Sequence, residues 1–166
     1  MRIPLFAAAL IAAATFAAIP SHAQQAPAPG ARPAAPLPYG LPISLAEAKR
    51  VADAAVAKAA FPSAIAVVGP GGEVIYLEKM DNSNNSTSEL AIKKARTAAA
   101  FRRPSLFFEQ ALAGGRVVIS QLGLTAVGGG IPIVMHGRIV GAIGASGAPG
   151  SDGDVAAAQA GLDALK

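Results

Sequence analysis

Cysteine and tryptophan are absent from the 166 residues, which include two tyrosines and two histidines. Each shortage closes a class of function. Without cysteine there is no disulfide framework, no thiolate chemistry and no cysteine to carry a lipid anchor. One histidine, His136, lies beyond the first 23 residues, and there is no His-x-x-x-His or Glu-x-x-Glu pair, so a metal cage made of protein side chains is not expected. No glycine is followed by lysine, which removes the P-loop. The net charge is +4 and the pI about 9.8, yet so few aromatic side chains offer a nucleic acid little to stack on, and no nucleic-acid partner is expected.

Long apolar runs are also scarce. The one present, Leu5 to Ile19, follows Met1-Arg2, is broken by Thr15, and ends at Pro20 before Ser21-His22-Ala23. A basic start, a short apolar stretch and small residues at a cleavage position make residues 1–23 an export signal rather than a membrane-spanning helix, which needs about 20 apolar residues. The expected location is periplasmic or secreted, with no stable membrane insertion after cleavage. Residues 24–42 are mostly alanine, proline and glycine, the composition of an extended tether. The folded domain is expected over 43–166.

Within the domain, Ser44 and Glu47 form a capping box ahead of apolar residues at helical spacing, predicting a helix over 44–60. β-rich runs near 64–68 and 73–79 flank Gly69-Pro70-Gly71-Gly72, the pattern of a hairpin. Ser86 and Glu89 open a second helix that Pro104 stops by about Arg103, and Ser105 restarts a third through Leu112. "RVVIS" and "GIPIVMHGRIVGAIGAS" supply up to three further strands, with His136-Gly137 as a tight turn. A last helix is expected over Ala156 to Leu165, capped by Asp152 or Asp154. Hairpins make antiparallel pairs, so the fold class is α+β, with a central antiparallel sheet of about five strands flanked by helices. That order argues against a dinucleotide fingerprint in "IVGAIGASGAPGSDGD", whose glycines instead allow close approach in a strand and then a loop.

The chemistry concentrates in the second helix. Lys93, Lys94, Arg96, Arg102 and Arg103 crowd a stretch without an acid, and Lys93, Arg96 and Arg103 share one helical face. Such a face is either solvated or a clamp for carboxylates. Thr97, Ala98, Ala100 and Phe101 add small and apolar surface beside it, as a flat apolar ligand with carboxylates would need. His136 reads as an exposed turn residue, although a haem iron needs only one axial nitrogen. Met80 and Met135 are soft ligands by chemistry and core residues by usual role.

"SLAEAKRVADAAV", "IAVVGPGGEVIYLEKMD", "ELAIKKARTAAAFRRPS", "GGGIPIVMHGRIVGAIGASGAPGSDGD" and "AQAGLDAL" together resemble the GlcG/HbpS family of haem-binding proteins, which also takes in the C-terminal domain of PduO adenosyltransferases. The resemblance implies a profilin-like fold, assembly into homo-oligomers, and haem or, in some members, corrinoid as cofactor. It marks Thr97, in Lys-Ala-x-Thr-Ala at 94–98, as a haem-contacting residue, with Lys93 and Arg96 beside it. Where relatives often carry an Asp-Glu pair after the glycine loop, this chain has Asp154-Val155. Three readings stay open: an exported haem-binding module for sequestration, storage or sensing; an enzyme degrading haem or acting on a small organic acid; and an oligomeric partner protein without a ligand. The expected cofactor-binding residues are Thr97, Arg96, Lys93, Arg103, Phe101 and His136; no catalytic set is assembled.

Overall fold

Alternation is missing from the strand β1, Ala64–Val68: all five residues are buried, as happens when both faces of a sheet are covered. In the computed structural model, which describes residues 35–166, β1 lies inside a four-stranded sheet. The expected export signal and residues 24–34 of the tether lie outside the described residues. With β2 at Val74–Lys79, β3 at Gly130–Met135 and β4 at Arg138–Ser146, the strand order is β2-β1-β4-β3 and every pair is antiparallel. Among the described residues four α-helices accompany it: α1 Leu45–Lys58, α2 Thr87–Phe101, α3 Leu106–Ala113 and α4 Ser151–Asp163.

The capping box forms as read, with the Ser44 hydroxyl accepting from Glu47 N and the Glu47 carboxylate accepting from Ser44 N. The Ser44 hydroxyl also donates to the Glu47 carboxylate at 2.6 Å, and this bond, followed by that from Ser44 N, holds the Glu47 carboxyl below the usual carboxylate range. Ala48, Val51, Ala52 and Ala55 of α1 then pack with Ala157 and Ala158 of α4 against Ile65, Val67, Ile133 and Ile143 of the sheet. On the opposite face Ala91, Ala95, Ala98 and Ala99 of α2 meet Ala64, Ala66, Val68 and Ala142. The sheet is the middle of three layers.

Two expectations need correction. "RVVIS" is not a strand: Val117–Gln121 forms a short 3₁₀ turn, so the sheet has four strands rather than about five. Arg116 N is tied back to Ala111 O, and Val117 and Val118 stand 71% and 58% exposed with no strand beside them, so β-propensity has nothing to act on. α4 begins at Ser151, ahead of the expected Ala156, with Gly150 at its cap; neither Asp152 nor Asp154 caps it. Both acids fall in its first turn, where the helix dipole favours negative charge.

The end of the tether also joins the domain. Tyr39 bridges to Ile139 in β4, Gly40 N donates to Ile139 O at 2.8 Å, and Ile43 N donates to Val140 O at 2.9 Å.

Candidate functional site

α2 is packed closely on the sheet because the strands beneath it give up their side chains. A Cβ on Gly144 would run into the Ala91 carbonyl oxygen, and one on Gly130 into the Lys94 carbonyl. These glycines belong to the Val-Gly-Ala-Ile-Gly and Gly-Gly-x-Pro-Ile runs, whose role is therefore close approach of helix backbone, as expected of glycines in a strand.

With its small residues inward, α2 turns Lys93, Arg96 and Ala100 outward. Lys93, Arg96, Thr97, Ala100 and Phe101 form one wall of a cavity of about 390 Å³, and the loop Gly123, Leu124 and Thr125 forms the other. Thr97 joins the walls: its hydroxyl oxygen accepts from Thr125 N at 3.0 Å. Arg96 Nε donates to Gly72 O at 2.9 Å, which steadies the exposed guanidinium against the β1-β2 turn. Lys93 pairs with Glu89 at 2.7 Å and holds that carboxyl below its usual range. Both partners are solvated, so the pair holds Lys93 only weakly.

The structure thus gathers Lys93, Arg96, Thr97 and Phe101. Arg103 is not among the lining residues: α2 ends at Phe101, Arg102 turns left-handed (φ 55°), and the Arg103 guanidinium lies over the Phe107 ring, 4.5 Å from its centroid. His136 stands elsewhere, at the β3-β4 turn with φ 50° beside Gly137 at 71°. It lines a larger cavity of about 670 Å³ with Tyr39, Glu47, Met135 and Arg138 among others. The Met80 sulfur accepts from Ser63 N.

Lys94 has a role that its charge concealed. It is 1% exposed, and its Nζ donates to Asp154 Oδ2 at 2.6 Å and to Ala145 O at 3.1 Å. The other carboxylate oxygen of Asp154 accepts from Ala148 N at 3.0 Å, so one buried pair fixes α2, β4 and the loop into α4. Gly129, at φ 111°, lies against this pair; a Cβ there would fall 2.7 Å from Ala145 O and 2.8 Å from Asp154 Cβ. A signal was present: Lys94 lies three residues after Ala91 and four before Ala98, at helical spacing with the buried stripe. Gly123, Leu124 and Thr125 carry no comparable signal.

The family described as Haem degrading protein HbpS-like matches residues 43–163. The chain belongs to the HbpS-like family. HbpS of Streptomyces reticuli, solved as a double mutant, superposes on this HbpS-like chain with a TM-score of 0.70 at 29% identity, covering 86% of this chain and 99% of that one. A structure described as a PduOC:heme complex gives a TM-score of 0.67 at 25% identity, covering 75% of this chain and 95% of that one. Protein GlcG of Escherichia coli K12 is 38% identical over 83 residues, 49% of this chain and 62% of that protein. The α+β architecture and a haem-related role at the level of the family follow from these likenesses.

Proposed function

We propose that this chain is an exported haem-binding protein that holds haem at the outward face of α2, for sequestration, storage or sensing outside the cytoplasm. The observation that carries the reading is the convergence of two cations, a hydroxyl and an aromatic ring on one cavity, Lys93, Arg96, Thr97 and Phe101. Those residue types fit the group: guanidinium and ammonium for propionates, Phe101, Ala100 and Leu124 for the flat apolar face, and Thr97 as an oxygen beside it. When bound, haem supplies redox-active iron; the protein binds and orients it. Export rests on residues 1–23, and assembly into homo-oligomers on the family resemblance.

A second reading comes from the larger cavity, where His136 and Met135 stand together with Arg138. Imidazole and thioether are also iron ligands. Titration of haem into the protein tests both readings. A shifted Soret band that weakens in Arg96→Ala supports the α2 site, and one that is lost in His136→Ala supports the other. Absence of any shift at micromolar haem removes both. A parallel titration with a corrinoid separates the two cofactors. Loss of the bound spectrum on adding a reductant, with release of iron, would mark turnover of haem rather than holding.

A further inference from the structure

The last turn of α2 contains a carbonyl that the helix cannot satisfy. Ala100 O would need the amide of residue 104, which is proline and has no N–H. The donor comes from the tether instead. Tyr39 Oη shares its hydrogen between Ala99 O at 2.9 Å and Ala100 O at 3.1 Å. The same ring carries the Arg102 guanidinium, 4.3 Å from its centroid, while Arg102 Nη1 donates to Leu37 O at 3.2 Å.

Tyr39 is itself held by the sheet. β1 runs beside β4 as far as Ala142, and residues 38–43 occupy the place beyond it. Pro38 O accepts from Ile139 N at 2.9 Å, Gly40 N and Ile43 N donate to Ile139 O and Val140 O, and Arg138 Nη1 reaches Tyr39 O at 3.4 Å. The strap is therefore bonded on one side to β4 and on the other to the carbonyl end of α2. That end is part of the cavity wall, since Ala100 and Phe101 line the cavity with Arg96 and Thr97.

We propose that Tyr39 is a positioning residue for the α2 cavity: it clamps the carbonyl end of the ligand-bearing helix, so that the segment leading into the domain sets ligand affinity. This rests on the haem reading for the identity of the ligand, but not for the clamp itself. Coupling of this kind is reciprocal, so ligand in the cavity must also protect the strap.

The test is Tyr39→Phe in the full chain, which keeps the ring and its stack on Arg102 and removes the hydroxyl. Amide hydrogen exchange is followed without haem, and haem affinity is measured beside it. Exchange at the last helical amides, Ala99, Ala100 and Phe101, should quicken about five-fold, the size of one neutral hydrogen bond, with the amides of Val67 and Ile143 unmoved. Because Tyr39, Gly40 and Ile43 also line the cavity that contains His136, both chains carry His136→Ala for the haem measurements; haem affinity should then fall by a similar factor on adding Tyr39→Phe, and haem should slow exchange at Gly40 and Ile43 less once Tyr39 is replaced. Unchanged exchange at the helix end overturns the proposal. So does faster exchange there with haem affinity unaltered. If haem binds neither chain and the helix end still opens faster, the clamp is supported and haem is removed as its ligand.

Discussion

Towards α1 and α4 the sheet presents Ile65, Val67, Ile133 and Ile143, whereas towards α2 it presents Ala64, Ala66, Val68, Ala142 and Gly144. On the first face branched side chains interdigitate, and what holds the layers together is apolar area removed from water. On the second there is little side chain to bury, and backbone meets backbone. There Lys94 does what several isoleucines do on the other face: its buried ion pair with Asp154 ties α2 to α4, and its bond to Ala145 O ties the helix to β4. The difference shows how α2 can carry charged Lys93 and Arg96 on its outer face without drifting: its close-packed inner face leaves it no alternative position.

Breaking the ion pair should have the largest effect. Asp154→Ala strands a lysine that is 1% exposed and is expected to cost about 3–5 kcal/mol, read as a fall in the urea midpoint. Lys94→Met with Asp154→Leu should recover most of that loss, because no charge is then left buried. Equal losses in the single and double variants would mean that the site depends on the pair itself.

Neighbouring residues 143 and 144 give the sharpest contrast between the faces. Gly144→Ala adds one carbon where Ala91 O already stands, and should cost about 1–3 kcal/mol through overpacking. Ile143→Val removes one carbon from the branched face and should cost about 0.5–1.5 kcal/mol. A harmless Gly144→Ala would show that α2 is free to lift away. Thr97→Val replaces the hydroxyl that accepts from Thr125 N, and should cost about 1 kcal/mol while loosening the 123–125 loop, visible as faster exchange at Thr125.

The smallest effect belongs to the far side of the molecule. The Glu47 carboxyl is held below its ordinary value by Ser44, so its contribution is present above the unfolded value of about 4.3 and is lost as pH falls through the lower folded one. Ser44→Ala should lower Tm slightly at pH 7, and the gap from the unsubstituted chain should close in acid. A gap that widens in acid would reverse the sign of this linkage.

Local features of the fold were legible wherever a residue dictates its own neighbourhood. Ser44 with Glu47 marked the start of α1, Pro104 the end of α2, and His136-Gly137 the β3-β4 turn. Features that depend on distant partners were not. The valines at 117 and 118 have strand propensity but no strand to join, and Gly153 disguised the first turn of α4 as loop. Lys94 and Asp154 lie 60 residues apart, so their pairing is invisible until the layers are assembled. The same holds for the site: the α2 residues could be grouped by spacing, whereas Gly123, Leu124 and Thr125 enter it through contacts distant in sequence, such as Thr125 N to Thr97. Likewise, the tether's composition gave no sign that Tyr39 bonds to α2.

The central claim is that the outward face of α2 is where the ligand sits. Haem titration of Arg96→Ala and His136→Ala side by side tests it most directly. Removal of a charge-assisted contact costs about 1.5–3 kcal/mol, so Arg96→Ala should bind haem roughly ten-fold or more weakly while His136→Ala keeps the affinity and Soret position of the unsubstituted chain. Loss of the haem spectrum in His136→Ala with Arg96→Ala unaffected would move the ligand to the cavity beside the β3-β4 turn and contradict the account.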